Sequence, residues 1–254
     1  MHHTSRNNIV KLAVIADIHG NHLALEAVIN DIEQHEVTDI VNLGDCFSGP
    51  LTAEKTADIL MQHSFPTVRG NHDRYLIEQK RENMGPSDAC SYRQLSQAHL
   101  DWLRQLPETY IYKDDIFMCH GTPESDSLYW MERVLDNAEI VSNSIDTIES
   151  HAKGINCSLI LCGHTHIPRA CQLRTGQMLV NPGSVGCPGY DDDQPIYHKM
   201  EMGHPNASYA IVEKSDFGWD VTFRQIGYDN MAMSELAQKN GRPEWANALA
   251  TGWL

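Results

Sequence analysis

Ile9-Val10-Lys11-Leu12-Ala13-Val14-Ile15-Ala16-Asp17-Ile18-His19-Gly20-Asn21 is an apolar run, rich in β-branched residues, that stops abruptly at polar side chains and a glycine. Such a run reads as a buried strand, Ile9 to Ala16, feeding a loop at its carboxyl end. Residues 22–36 follow with Ala24, Leu25, Val28, Ile29 and Ile32 at helical spacing. A second strand, Asp39 to Leu43, again ends in a polar tip, Gly44-Asp45. The pattern recurs with a helix near 52–62, a strand at 65–69 and the tip Gly70-Asn71-His72-Asp73. Strands alternating with helices imply an α/β fold.

Further along, Tyr92 to Leu106 reads as one amphipathic helix closed by Pro107, and Thr109 to Cys119 as two short strands ending in His120-Gly121. A helix over about 137–153, with Asp136 as its N-cap, leads to the strand Ser158 to Cys162 and the tip Gly163-His164-Thr165-His166. Residues 169–181 and 208–226 read as hairpins, joined by the loop Asn181-Pro182-Gly183-Ser184-Val185-Gly186. The stretch 187–205, rich in Pro, Gly and Asp, is expected to be a mobile surface insertion in a single domain spanning 1–254. The C-terminal segment reads as helical from Ser234, broken at Gly241-Arg242-Pro243, with Trp245, Leu249 and Trp253 spaced to dock one face.

Composition narrows the function. A formal charge of −15 opposes general binding to a phosphate backbone. No apolar run approaches the roughly 20 residues of a membrane span, and the start Met1-His2-His3-Thr4-Ser5-Arg6 lacks a secretion signal, so a cytoplasmic protein is expected. Seven scattered cysteines without a C-x-x-C pair suggest reduced thiols. Cys46, Cys119 and Cys162 lie beside strand tips, where a small buried apolar residue is the simpler reading than a thiolate ligand. Asp191-Asp192-Asp193 reads as a solvated run, and Asn21 and His22 as residues at the site entrance or in the first helical turn.

The chain has fourteen histidines, and five strand ends carry Asp, Asn or His. Ligands of α/β sheets gather at such ends, on rigid elements beside free loops. Alone, Asp17 is an ordinary Asx turn or cap. Jointly the tips are different: Gly-Asn-His-Asp and Gly-His-x-His each arise by chance in fewer than about one chain in a hundred of this length. Imidazole nitrogen together with carboxylate oxygen suits Mn, Fe, Ni or Zn better than Ca or Mg.

In the order D-x-H, G-D, G-N-H-D, H-G and G-H-x-H, residues 17–166 resemble the calcineurin-like metallophosphoesterases. Asn181-Pro182-Gly183-Ser184 followed by Ala207-Ser208-Tyr209 resembles the small bacterial and archaeal branch of YfcE-like or diadenosine-tetraphosphatase-like members. The resemblance implies a four-layer α/β/β/α sandwich of two mixed sheets flanked by helices. It also implies two divalent metal ions, one held by Asp17, His19, Asp45 and His166 and the other by Asp45, Asn71, His120 and His164, with Asp45 as the bridge. A metal-activated hydroxide would then hydrolyse a phosphodiester, phosphomonoester or nucleotide phosphoanhydride, and His72 would donate a proton to the leaving oxygen. The expected partner is a small phosphorylated molecule.

The chain departs from the phosphoprotein-phosphatase pattern G-D-x-x-D-R-G. Ser48 stands in place of the Asp that orients the histidine, and Gly49 in place of the Arg that grips phosphate. A serine/threonine protein phosphatase is therefore the lesser reading, and the His72 dyad loses its expected partner. Arg69 and Arg74 are candidate substrate contacts, with solvation or ion pairing as the plain alternative. A non-catalytic interaction scaffold of the same fold would tolerate eroded ligands, whereas all seven proposed ligands are present here. A nucleotide-dependent oxidoreductase lacks its G-x-G-x-x-G after the first strand.

Overall fold

The computed structural model describes residues 10–254, so Ile9 and the residues before it lie outside the description. In chain order the first half comprises β1 (Lys11–Ile15), α1 (His22–Gln34), β2 (Asp39–Asn42), α2 (Ala53–His63), α3 (Asn71–Glu78), α4 (Pro86–Tyr92), α5 (Gln97–Gln105), β3 (Thr109–Tyr112) and β4 (Ile116–Cys119). The second half comprises β5 (Glu132–Val134), β6 (Ile140–Ser142), α6 (Ile145–His151), β7 (Leu159–Leu161), β8 (Arg169–Gln172), β9 (Met178–Asn181), β10 (Gly189–Asp192), β11 (His198–Glu201), β12 (Ala207–Ser215), β13 (Gly218–Ile226), α7 (Asn230–Lys239) and α8 (Pro243–Thr251).

Two mixed sheets form the centre. One has the order β13-β12-β1-β2 and the other β3-β4-β7-β9-β8. In the first, β1 and β2 are parallel while β12 runs antiparallel to β1. In the second, β4, β7 and β9 are parallel neighbours and β3 and β8 are antiparallel edges. Side chains alternate across a strand, so β1 serves two cores. Leu12 and Val14 join Met118, Leu161, Val180 and Val212 between the sheets, while Ala13 and Ile15 pack with Leu25, Val28 and Leu60 under the helices. On the other flank, Ile160 and Leu179 pack with Trp130, Ile148 and Ala152. The expected layering of helix, sheet, sheet and helix is the observed one.

Four local expectations change. The strand at 65–69 is reduced to a single bridge between Thr67 and Asn42, because Pro66 has no N–H to extend a ladder and the chain turns away at Gly70. The long helix over 92–106 is shortened to α5, which starts at Gln97 after α4 has ended at Tyr92, with Ser96 capping it by accepting from His99 N at 3.3 Å. The helix over 137–153 is replaced by the β5–β6 hairpin followed by the short α6. Its cap is Ser144, accepting from Thr147 N at 3.2 Å, and not Asp136, because β-branched Ile140 and Val141 pair with Val134 and Arg133. The stretch 187–205, expected to be a mobile surface insertion, forms the β10–β11 hairpin with Cys187 and Met200 buried.

The last helix pair begins at Asn230, ahead of the expected Ser234, with Asp229 accepting from Ala232 N. Trp245 and Leu249 dock with Leu51, Cys187 and Met233 as expected, whereas Trp253 stays half exposed. Among the described residues no helix is long and apolar enough to cross a membrane.

Candidate metal centre

The carboxyl ends of β1, β2, β4 and β7, with the first turn of α3, converge. Asp17 N donates to Gly44 O at 2.9 Å and His19 N to Asp45 O at 3.0 Å, which locks the first two tips together. Gly163 N donates to His120 O at 2.7 Å, locking the last two. Among the described residues ten non-glycine residues have positive φ, and five of them are Asp17, His19, Asp45, His164 and His166. A left-handed backbone at such residues costs on the order of 1–3 kcal/mol each and persists where a site over-determines it.

The convergence gathers two buried groups, Asp17 with His19 and His166, and Asp45 with His120 and His164, each able to offer ligand atoms within 4.8 Å of one another. Asn71 joins the second, its Oδ1 3.0 Å from His120 Nε2. Asp45 spans both: its Oδ2 lies 3.3 Å from His120 Nε2 and 3.8 Å from His19 Nε2. All seven residues read from the sequence as ligands are thus brought together.

The donor set fits cations. Nδ1 of His19, His120 and His166 each lies 2.7 Å from a backbone carbonyl, of Ser48, Leu43 and Cys187 respectively. A carbonyl only accepts, so Nδ1 carries the hydrogen and Nε2 of a neutral ring presents its lone pair inward. His19 Nε2 and His166 Nε2 then face each other at 3.3 Å, with Asp17 Oδ1 3.3 Å from His166 Nε2 and without a hydrogen-bond partner. Lone pairs and a carboxylate oxygen crowded together, out of water, call for positive charge between them.

The titration preferences express the same demand. Burial would raise the carboxyl pKa values of Asp17 and Asp45, but neighbouring His166 and His120 hold both below the ordinary range. Burial opposes charge on His120, yet Asp45 raises it to about 10. Burial pushes His19 down to about 4, and burial followed by repulsion from His120 pushes His164 down to about 3, as suits neutral ligands.

Beneath the ligands, Asp73 accepts from the N–H groups of Asp45 at 2.8 Å, Cys46 at 2.9 Å and Gly70 at 3.0 Å. It thereby fixes both the G-D and G-N-H-D tips; burial, then Asp45, raise its pKa to about 6. Gly70 is required here, since a Cβ would sit 2.1 Å from Asp45 Oδ1. Asn181 donates to Gly163 O at 2.7 Å and Thr165 Oγ1 at 3.0 Å, and Ser184 Oγ to Asp17 O at 2.7 Å, which gives the Asn-Pro-Gly-Ser loop its task.

The missing partner of His72 is supplied from elsewhere. Asp88 Oδ1, on α4, accepts from His72 Nδ1 at 2.9 Å, and Ser48 Oγ donates to the same oxygen at 2.6 Å. Nε2 is left as the ring nitrogen available to the cavity. Burial disfavours the imidazolium, but the Asp88 hydrogen bond and Asp45 outweigh it and raise the pKa to about 9. No arginine fits at position 49, because a Cβ there would lie 2.3 Å from the His19 carbonyl oxygen.

Arg69 pairs with Glu108 at 2.9 Å. Arg74 grips Asp126 with two hydrogen bonds of 2.7 and 2.8 Å and borders a separate cleft on which His120 also opens. Neither borders the cavity of about 270 Å³ that is lined by His19, Asp45, Asn71, His72, His164 and His166. Sequence reasoning missed the remaining lining residues, among them Tyr75, Ser87, Tyr190, Arg242 and Trp245, and with them Asp191 and Asp192 of the run read as solvated. Asn21 caps α1 through Ala24 N and donates to Gly186 O, and His22 bonds Thr52, so neither borders the cavity. Cys46, Cys119 and Cys162 are buried thiols whose pKa burial raises, which leaves them packing residues.

An uncharacterised protein of Methanocaldococcus jannaschii is 27% identical over 247 residues, covering 92% of this chain and 94% of its own. The crystal structure of a metallophosphoesterase from Sphaerobacter thermophilus matches with a TM-score of 0.73 and 26% identity, over 96% of this chain and 100% of that one. A hypothetical protein of Pyrococcus horikoshii shares the fold with a TM-score of 0.72 at 20% identity, over 95% of this chain and 98% of its own. Residues 10–204 match the calcineurin-like phosphoesterase superfamily domain. With that match across most of its length, the chain belongs to the calcineurin-like phosphoesterase superfamily.

Proposed function

We propose that the chain hydrolyses a phosphate ester or anhydride with two divalent cations, one held by Asp17, His19, Asp45 and His166 and the other by Asp45, Asn71, His120 and His164. The observation that carries this reading is His72, held 2.9 Å from Asp88 and bordering the same cavity as His19, Asp45, His164 and His166 of the two buried Asp/His groups. When bound, the ions would acidify a water and neutralise phosphoryl oxygens. The mixed nitrogen and oxygen donors favour Mn, Fe, Ni or Zn.

The protein's own part is proton delivery and orientation. As a water oxygen bonds to phosphorus and the bond from phosphorus to the leaving oxygen breaks, His72 Nε2 gives its proton to the leaving oxygen. Asp88 holds the ring through Nδ1 and stabilises the imidazolium before transfer. Ser48, with its hydroxyl on Asp88, keeps that carboxylate aimed.

Small phosphodiesters and dinucleoside polyphosphates are the proposed substrates, ahead of phosphoproteins. Position 49 is closed to an arginine, and a charge of −15 disfavours acidic peptides and nucleic acid. The test is turnover after reconstitution with Mn²⁺, Fe²⁺, Ni²⁺ or Zn²⁺, comparing an aryl diester, an aryl monoester and a dinucleoside tetraphosphate. Hydrolysis of at least one is expected, and none by any metal form overturns the proposal.

A further inference from the structure

We propose that Arg242 makes this site selective for leaving groups that bear a negative charge of their own, a second phosphate foremost. The inference rests on the hydrolase reading for its catalytic consequence but on separate residues for its geometry.

Arg242 belongs to the turn between α7 and α8, beyond residues 10–204, and so comes from a part of the chain outside the superfamily match. That turn is held in place. Asn240 Nδ2 donates to Pro50 O at 2.7 Å, next to the loop carrying Ser48 and Gly49, and Ser234 Oγ donates to Ala246 O at 2.7 Å to tie the helices together. Trp245, one turn into α8, borders the cavity and packs edge-on against His19, with ring centres 5.9 Å apart.

Among the described residues lining the cavity, Arg242 is the one lysine or arginine. Its Nη1 donates to Ser87 Oγ at 2.6 Å and its Nε to Glu244. A guanidinium has five N–H donors, so three remain for a ligand. Ser87 immediately precedes Asp88, the partner of His72, so consecutive residues of α4 hold the guanidinium and the histidine ring, and both line the one cavity. Glu244 is 37% exposed against 18% for Arg242, so the carboxylate that orients the fork is the more solvated partner.

Charge then decides what the fork selects. Asp191 and Asp192 also border the cavity and repel an anion placed outside the metal groups. A neutral aryl or alkyl leaving group offers Arg242 no acceptor. A leaving phosphate offers paired oxygens that a planar fork can bind bidentately, offsetting that repulsion.

The test compares wild type with Arg242→Gln and Arg242→Lys in the metal-loaded protein. The ratio of kcat/KM for a dinucleoside tetraphosphate to that for an aryl diester should fall at least about tenfold in Arg242→Gln, with Arg242→Lys between, as suits loss of one bidentate charged contact. Calorimetry supplies a second readout: affinity for inorganic pyrophosphate relative to inorganic phosphate should fall by a similar factor. If wild type in every metal form turns over neither of these substrates nor an aryl monoester while the pyrophosphate preference still depends on Arg242, the hydrolase reading fails and the anion subsite stands. If turnover occurs and neither ratio moves, the subsite is overturned and the hydrolase reading stands. Should Arg242→Gln fail to fold, Arg242→Lys carries the same comparison, with an unchanged ratio counting against the proposal.

Discussion

The cradle of Asp17, His19, Asp45, Asn71, His120, His164 and His166 reaches the cavity through His19, Asp45, Asn71, His164 and His166, and faces a wall formed by α4, β10 and α7–α8 that is built on a different physical plan. In the cradle, five of seven side chains stand on left-handed backbone. Three histidines are locked through Nδ1 to carbonyls, and Asp73 fastens two tips from below. Each part determines the next, so little can change. The wall is made of ordinary helices and a hairpin, with apolar packing of Leu51, Cys187, Met233, Trp245 and Leu249 behind it, and it contributes isolated polar groups, Ser87, Asp191, Asp192 and Arg242 at the cavity and Asp88 behind His72. The difference teaches that the proposed chemistry rests on strained strand tips, whereas the proposed selectivity rests on ordinary helices and a hairpin.

The sharpest way to break the comparison is at Asp45, which reaches both histidine groups. Asp45→Asn should lose metal from both and lower turnover by more than the roughly 10–100-fold typical of an outer-shell partner. Elemental analysis still finding two ions per chain would contradict its bridging place. His72→Ala should keep the metals and lose at least about 10²-fold in kcat. Asp88→Asn belongs to the wall but acts through His72, so about 10–100-fold is expected. Combining it with His72→Ala should add nothing further; a double variant much slower than His72→Ala would give Asp88 a task of its own.

This contrast also explains what the sequence disclosed. The tips were legible because ligand, glycine and neighbouring strand are contiguous, as in Gly163-His164-Thr165-His166. The sandwich followed from the same residues through the family resemblance. Asp88 is illegible because the G-D-x-x-D-R-G pattern places the orienting carboxylate at position 48, where this chain has Ser48. It arrives sixteen residues after His72, in Gly85-Pro86-Ser87-Asp88, whose local signal is only that of a helix start. Arg242 lay in a turn read for its breaking of the helix. The helix misplaced over 137–153 failed for a related reason: Ile140 and Val141 satisfy either period, and only pairing with β5 decides between them.

Position 49 joins cradle to wall, since its backbone touches the His19 carbonyl while its N–H bonds Ser91 Oγ on α4 at 2.9 Å. Gly49→Ala should therefore cost about 1–3 kcal/mol by overpacking. It should also slow turnover through displacement of His19. Thermal unfolding beside metal affinity measures both, and an unaltered melting temperature would show that the loop yields without strain.

The mildest test lies away from both regions. Asp31 on α1 accepts from Arg224 Nε at 2.6 Å and Nη2 at 3.0 Å, and from Tyr209 Oη at 2.6 Å, tying the helix to β12 and β13. Burial would raise its pKa, but the Arg224 and Tyr209 hydrogen bonds outweigh that and hold it below the ordinary 3.8. A carboxyl whose folded pKa is depressed stabilises the protein fully above its unfolded value and loses that contribution as pH falls through the folded one. Asp31→Asn should thus lower stability at neutral pH by about 1–2 kcal/mol, the scale of charged hydrogen bonds at a partly screened site. The gap to wild type should narrow below about pH 4 in denaturant titrations. Turnover and metal content should hold, because Asp31 serves the scaffold alone; a loss of metal in this variant would mean that the cradle's strain is borne by the whole helix layer and not by its own hydrogen bonds.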